Sequence, residues 1–395
     1  MRKIGVNEKG QESKVIVAVD PGYDGTKVTV NGERFSIPKT TVKKIGNEFE
    51  STGSLEGIYE VTTEKGTFLC GPNIRNLVDM SKDFHTRYDK DADQTGNYSY
   101  FVTDEFVANT LGAITMALIM AEQKKVIKDA SKADLYTILP LPHQAYESMT
   151  SPVAGKLLGN HSVTFKGTVG DEYIDRQIDF SIPDDNEHFI VTSQVIACLT
   201  GFITDEEGYE IDALRDAYPT VVVDAGYYTV GDCSITLTKA ILDAVSNTTY
   251  GMDIIYERTA ERINKKCKTS YKAYDMDNLF NVENGVVVVS WDVSESGTNE
   301  QIDCNPILEE VTDELFDEFV AYLDKKYEHF VKVKQILFGG GTGEIYYNRF
   351  SKVAKRYPNV KASLVKYDIE KETVTPREAI SAGAYKMFLN IIISQ

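Results

Sequence analysis

Residues 219–232 read PTVVVDAGYYTVGD, and residues 14–27 read KVIVAVDPGYDGTK. Each stretch is a β-branched run that ends in an aspartate with a glycine two positions on, Asp20 and Gly22 in the first copy, Asp224 and Gly226 in the second. Such a run reads as a buried strand entering a tight hairpin turn, and one copy in each half of the chain implies two similar domains. Glycine at the turn lets backbone N–H groups face outward unobstructed, which makes an anion-binding concavity. Two such turns suit a phosphate chain. The paired aspartates suit the Mg2+ that accompanies a triphosphate, because Mg2+ takes one or two carboxylates and keeps several waters. Lys27 adds positive charge beside the first turn.

At 395 residues the chain exceeds the size at which one core keeps growing, which also predicts two domains. Its 42% apolar and 10% aromatic content is ample for packed cores. A net charge of −18, with no Lys/Arg-rich run to offset it, excludes direct nucleic-acid binding and anionic membrane surfaces. Five scattered cysteines, Cys70, Cys198, Cys233, Cys267 and Cys304, form no C-x-x-C pair, so neither a zinc site nor a disulfide framework is expected and a reducing cytoplasm fits. The opening MRKIGVNEKGQESK has no apolar signal region. Val107–Ala121 is the most apolar stretch, too short for a bilayer span, and reads as a buried helix capped by Thr103 with Asp104 and Glu105 in its first turn.

Other elements follow from local signals. KVIVAV and TKVTV flank DPGYDG as a hairpin, and 31–99 reads as a small insert of strands and loops. A strand is expected over 135–142, a helix over 192–203 and another over 250–268. Asn305 and Pro306 are expected as N-cap and N1 of a helix with Val311, Leu315, Phe319, Tyr322 and Leu323 on one face. The strand KQILF (334–338) leads into GGGTGE, and TPRE (375–378) reads as a capping box before AISAGAYKMFLNII. Ala379, Ala382, Gly383 and Ala384 leave that last helix a bare side, which something must approach closely.

GGGTGE is not a Walker loop, because no G-x-x-x-x-G-K-[ST] occurs in the chain, nor a dinucleotide fingerprint, because Glu344 stands where a third glycine should fall. A glycine cluster between strand and helix still allows backbone to approach a nucleoside or its phosphate. Alone, it is also what a plain strand-to-helix loop looks like.

In order, DPGYDGTK, SQVIACLTG, VVVDAGYYTVGD, LFGGGTGE and AISAGAYKM resemble the phosphate 1, connect 1, phosphate 2, adenosine and connect 2 motifs of the actin-like ATPase superfamily. Length and the LPLP segment make the chain most similar to the bacterial plasmid-segregating actins of the ParM type. The resemblance implies an α/β actin-like fold of two RNase H-like lobes with a nucleotide cleft between them. Lobe I would span 1–192 plus 376–395 with its insert at 31–99, and lobe II 193–375 with its insert at 252–303.

Site residues carried over with the motifs are Asp20, Gly22, Tyr23, Asp24, Gly25 and Lys27 in the first phosphate hairpin, and Asp224, Gly226, Tyr227, Tyr228 and Thr229 in the second. Gly339, Gly340, Gly341, Thr342 and Gly343 would pack against adenosine, with Gly251 lining the base pocket. Gln194 falls where actins place the residue that positions the attacking water, and Asp20 and Asp224 would hold Mg2+ through water. Tyr23 puts a ring where conventional actins have a small or hydroxyl residue, and Tyr227-Tyr228 does the same in the second turn, so backbone amides must do more of the phosphate binding.

The function implied is an ATP- or GTP-hydrolysing, Mg2+-dependent cytoplasmic filament protein. Its partners would be further copies of itself and a DNA-binding adaptor at filament ends. A small-molecule kinase of the same superfamily is the alternative; it needs a carboxylate base beside a sugar pocket, and no candidate stands out. A chaperone-type switch would need a substrate-binding domain after connect 2.

Overall fold

The structure, a computed structural model, describes residues 14–22, 25–38, 41–44, 57–71, 98–211, 217–236, 238, 241–280, 288–293, 298–369 and 371–393. The chain divides into two compact units, Met1–Asp216 with Val365–Gln395, and Ala217–Leu364.

Unit 1 is built on β1 (Lys14–Pro21), which is buried throughout except at half-buried Lys14. It pairs antiparallel with β2 (Gly25–Val30), and β2 with β3 (Glu33–Pro38). On its other side β1 runs parallel to β7 (Asp134–Leu141), and β7 to β10 (Phe189–Ser193), giving the order β10-β7-β1-β2-β3. A continuous apolar run such as VIVAV suits a central strand covered on both faces. One cover is α1 (Asp104–Gln123), whose Thr103 hydroxyl accepts the Phe106 N–H as the sequence predicts. Among the described residues α1 is the one helix long and apolar enough to cross a bilayer, yet 83% of its apolar window is buried in the protein core.

Unit 2 repeats the pattern. Its strands β11 (Thr220–Ala225), β12 (Val230–Ile235) and β13 (Ile241–Asn247) are antiparallel, and β16 (Gln335–Gly339) and β17 (Lys361–Leu364) continue parallel from β11, in the order β13-β12-β11-β16-β17. The two sheets therefore share one topology: three antiparallel strands, then two parallel ones, with each Asp-x-Gly at the end of the middle strand. Helix α6 (Asn305–Lys326) packs Val311, Leu315, Phe319 and Leu323 into the unit 2 core. Its N-cap is Cys304 rather than the expected Asn305, whose N–H instead bonds the Asp303 carboxylate at 2.9 Å.

The segment 31–99 is only partly a body of its own. Strand β3 belongs to the main sheet, while β4 (Thr41–Lys43), β5 (Tyr59–Thr63) and β6 (Gly66–Cys70) form a second sheet completed by β8 (Gly159–Val169) and β9 (Glu172–Ile182). Those last two strands were not anticipated. Within 252–303 lie α4 (Met252–Cys267), α5 (Ala273–Phe280) and a hairpin of β14 (Val288–Val293) with β15 (Thr298–Asp303).

Two helices of unit 1 interlock. On α8 (Ala379–Ile393) a Cβ at Gly383 would lie 1.9 Å from the Ala197 carbonyl of α3 (Gln194–Ile203), so the bare side is filled by α3 backbone. Buried Lys386 donates to the Gly201 and Thr204 carbonyls at the end of α3, 3.0 and 2.9 Å away. Hence α3 and the hairpin of β18 (Tyr367–Ile369) with β19 (Glu372–Val374) both fall in unit 1, and the divisions lie at 216/217 and 364/365 instead of the expected 192/193 and 375/376. The capping box is half formed: the Glu378 carboxylate accepts from Thr375 N at 3.1 Å, but the Thr375 hydroxyl donates to that carboxylate instead of capping the helix, which starts at Ala379.

Candidate functional site

In unit 1 the first signature forms a tight corner. Asp20 stands opposite Lys27 in the β1–β2 register, and Gly22 N donates back to Asp20 O at 2.9 Å. A Cβ on Gly22 would sit 2.8 Å from Lys27 Nζ and 3.1 Å from Gly25 O, so a side chain there would displace the ammonium that lies across the turn. Asp20 is 2% exposed. Burial raises its pKa, and the Lys27 charge and a Gln194 hydrogen bond pull only partly the other way. Gly25 begins β2 and is buried; Tyr23 and Asp24 lie outside the described residues.

Gln194 reaches the same corner from far along the chain. It is the first residue of α3, directly after β10, and its Nε2 donates to Asp20 Oδ1 at 2.8 Å. With the amide nitrogen committed to Asp20, Oε1 is the atom available to accept from a water. Gln194 is 8% exposed, unlike an ordinary solvent-facing helix residue.

In unit 2, Asp224 is also buried and lies in register between Gly231 of β12 and Gly339 of β16. The turn after it closes through Gly226 N to Thr229 O at 2.9 Å. Three neighbours hold that turn. Thr342 Oγ1 donates to Gly226 O at 2.7 Å, Asp253 N at the start of α4 donates to Tyr227 O at 2.9 Å, and Gly251 packs so closely that a Cβ would lie 2.4 Å from Tyr227 O. Gly251 is thus a wedge against the turn's backbone, a role sequence reasoning did not assign it.

The glycine loop meets the same place. Gly340, at a φ of +79°, would put a Cβ 2.2 Å from Ala225 O and 3.0 Å from Asp224 Oδ1, so only glycine fits. Gly341 is exposed, has nothing within 4 Å of its would-be Cβ and opens α7 (Gly341–Val353). Gly343 packs at ordinary distance on Phe338 and Ala225. The aromatic pair is accommodated sideways: the Tyr227 ring meets Tyr228 edge-on at 4.8 Å and Tyr256 of α4 at 6.2 Å.

These donors fit phosphates with a divalent cation. Taken by itself, unit 1 offers a buried carboxylate whose ionisation is costly without a cation and a lysine folded over a glycine turn; unit 2, by itself, offers a buried carboxylate and a glycine-led helix start. Among the described residues no cluster of three or more His, Cys, Asp or Glu could hold a metal by protein ligands alone.

No family model and no curated protein matches the sequence. Solved structures do match. The actin-like protein Alp7A aligns over 96% of this chain and 97% of its own at 14% identity, TM-score 0.63. Bacillus thuringiensis ParM with AMPPNP covers 97% of this chain and 99% of its own at 12% identity, TM-score 0.57, and the Alp12 filament structure covers 95% and 98% at 12% identity, TM-score 0.54. The chain has the actin-like fold.

Proposed function

We propose that this chain is a nucleotide-hydrolysing, filament-forming actin of the ParM type. What carries the proposal is the doubled Asp-x-Gly hairpin on two sheets of identical topology, with Gln194 tied to the first aspartate. The nucleotide and filament named for two of the similar structures support it. Asp20 and Asp224 would hold Mg2+ through water, Lys27 and the turn amides would bind phosphate oxygens, and Gly339–Gly343 would take the nucleoside side. Bound Mg2+ neutralises charge on the phosphates.

Within this chain the hydrolytic task falls to Gln194. An amide is a poor proton acceptor but orients a water well, which suits phosphoryl transfer governed by positioning. Cargo DNA would attach through a separate basic adaptor at a filament end, because a chain of net charge −18 repels a phosphate backbone. The cytoplasm is the fitting compartment, given five free cysteines, all buried.

Sedimentation and light scattering with Mg-ATP, Mg-GTP, Mg-ADP and no nucleotide test this. A triphosphate is expected to drive the protein into the pellet, and Gln194→Ala to keep nucleotide affinity while phosphate release slows by roughly two to three orders of magnitude. A protein that stays in the supernatant throughout while phosphorylating a metabolite would instead be a kinase.

A further inference from the structure

Strands β7 and β10 are parallel neighbours, with Leu141 opposite Ser193. Each releases a helix at its carboxyl end: α2 (His143–Leu157) follows β7 after Pro142, and α3 follows β10 with no intervening residue. The first side chains of the two helices therefore emerge side by side, at the edge of the sheet where open α/β folds place their ligands.

There His143 Nδ1 and Ser193 Oγ lie 3.1 Å apart. Ser193 is the N-cap of α3, a position where serine ordinarily accepts an N–H from the helix's first turn, yet its side chain makes no capping bond. The hydroxyl, on a residue 2% exposed, is turned to the imidazole instead. The His143 side chain is 15% exposed and its Nε2 lies 3.7 Å from the Glu147 carboxylate one turn on, while the neighbouring Gln144 side chain accepts from Tyr98 Oη at 2.8 Å. The residue after Ser193 is Gln194, whose amide is bonded to Asp20. Lys386 anchors the far end of α3, the β10 register places the backbone of its near end, and the His143–Ser193 contact adds a side-chain tie at that near end.

We propose that His143 is a positioning residue for the hydrolytic glutamine. By holding Ser193 it fixes the start of α3, and so the placement of the Gln194 amide against Asp20. Its kinetic consequence rests on the function proposed above; the geometric one does not.

The test uses full-length His143→Phe, Ser193→Ala, their double variant and His143→Asn, whose amide can still bond the serine. Binding of a fluorescent ATP analogue should be unchanged in all four. Single-turnover phosphate release should fall on the order of ten- to a hundredfold in the first three, with the double variant no slower than either single one, and recover in His143→Asn. A purely packing role would leave His143→Asn as impaired as His143→Phe, or make the two losses multiply, and either result overturns the proposal. Independently of turnover, the Gln194 side-chain amide resonance in 15N-glutamine-labelled protein, identified by its loss in Gln194→Ala, should move in His143→Phe and Ser193→Ala and stay in His143→Asn. If it stays in all three variants the positioning role fails. If it moves as expected while the wild type hydrolyses nothing, the role stands and the proposed function fails.

Discussion

A carboxylate 2% exposed beside one half-buried lysine is an expensive residue to keep. Because burial raises the folded-state pKa of Asp20, its ionised form weakens the nucleotide-free protein at pH values above that raised pKa; the cost fades as pH falls toward the unfolded carboxyl value of about 3.9 and is gone below it, where both states are protonated. Asp20→Asn keeps an acceptor for Gln194 and removes the charge. The nucleotide-free variant should therefore melt above wild type at pH 7–8, with the gap closing toward pH 4. It should also lose Mg-nucleotide affinity by roughly tenfold or more, the scale of a lost charged partner. Scanning calorimetry across that range and titration with Mg-ATP check the pair; a lower melting point at neutral pH would show that Asp20 stabilises the fold rather than the ligand.

Elements here are joined by backbone approaching backbone. Gly383 lets α8 lie against α3, and exposed Gly155 of α2 has nothing within 4 Å of a would-be Cβ. The same substitution should act with opposite sign at the two sites. Gly383→Ala forces the helices apart and should cost about 1–3 kcal/mol, whereas Gly155→Ala should add about 0.5–1 kcal/mol by better helix propensity. Urea unfolding of both variants decides it, and equal effects would mean that α3 and α8 yield easily to one another. On the function proposed, the α3–α8 contact would also bear on hydrolysis, since α3 presents Gln194 at one end and is tied to Lys386 at the other.

For the whole molecule the governing quantity is a charge of −18 repeated on every copy. Like-charged subunits repel over a screening length of about 30 Å at 0.01 M salt and about 10 Å at 0.1 M. Assembly with Mg-triphosphate should accordingly rise as KCl goes from low to moderate concentration and fall again where specific ion pairs weaken. The pelleted fraction across a KCl series measures this. Assembly that only declines with salt would place attractive charge pairs, not net repulsion, in control.

Local chemistry alone determined the two hairpins, the Thr103-capped helix, the apolar face of α6 and the doubling that announces two like sheets, because alternation, helical period, caps and turn glycines act over a few residues. Two strands went unmarked although their signal is local: β8 and β9 alternate on either side of a Gly170-Asp171 turn, and only their joining to β5, about a hundred positions upstream, needed the fold. Tertiary structure alone decided the site's working contacts. Gln194 and Asp20 are 174 positions apart, His143 and Ser193 are 50, and Thr342 reaches Gly226 across 116. Glycine identity could be read at 251, 340 and 383, but which carbonyl each one makes room for could not. A side chain's type states what it can bond to; only the packed fold brings that partner within 3 Å and shuts out the water that would otherwise take its place.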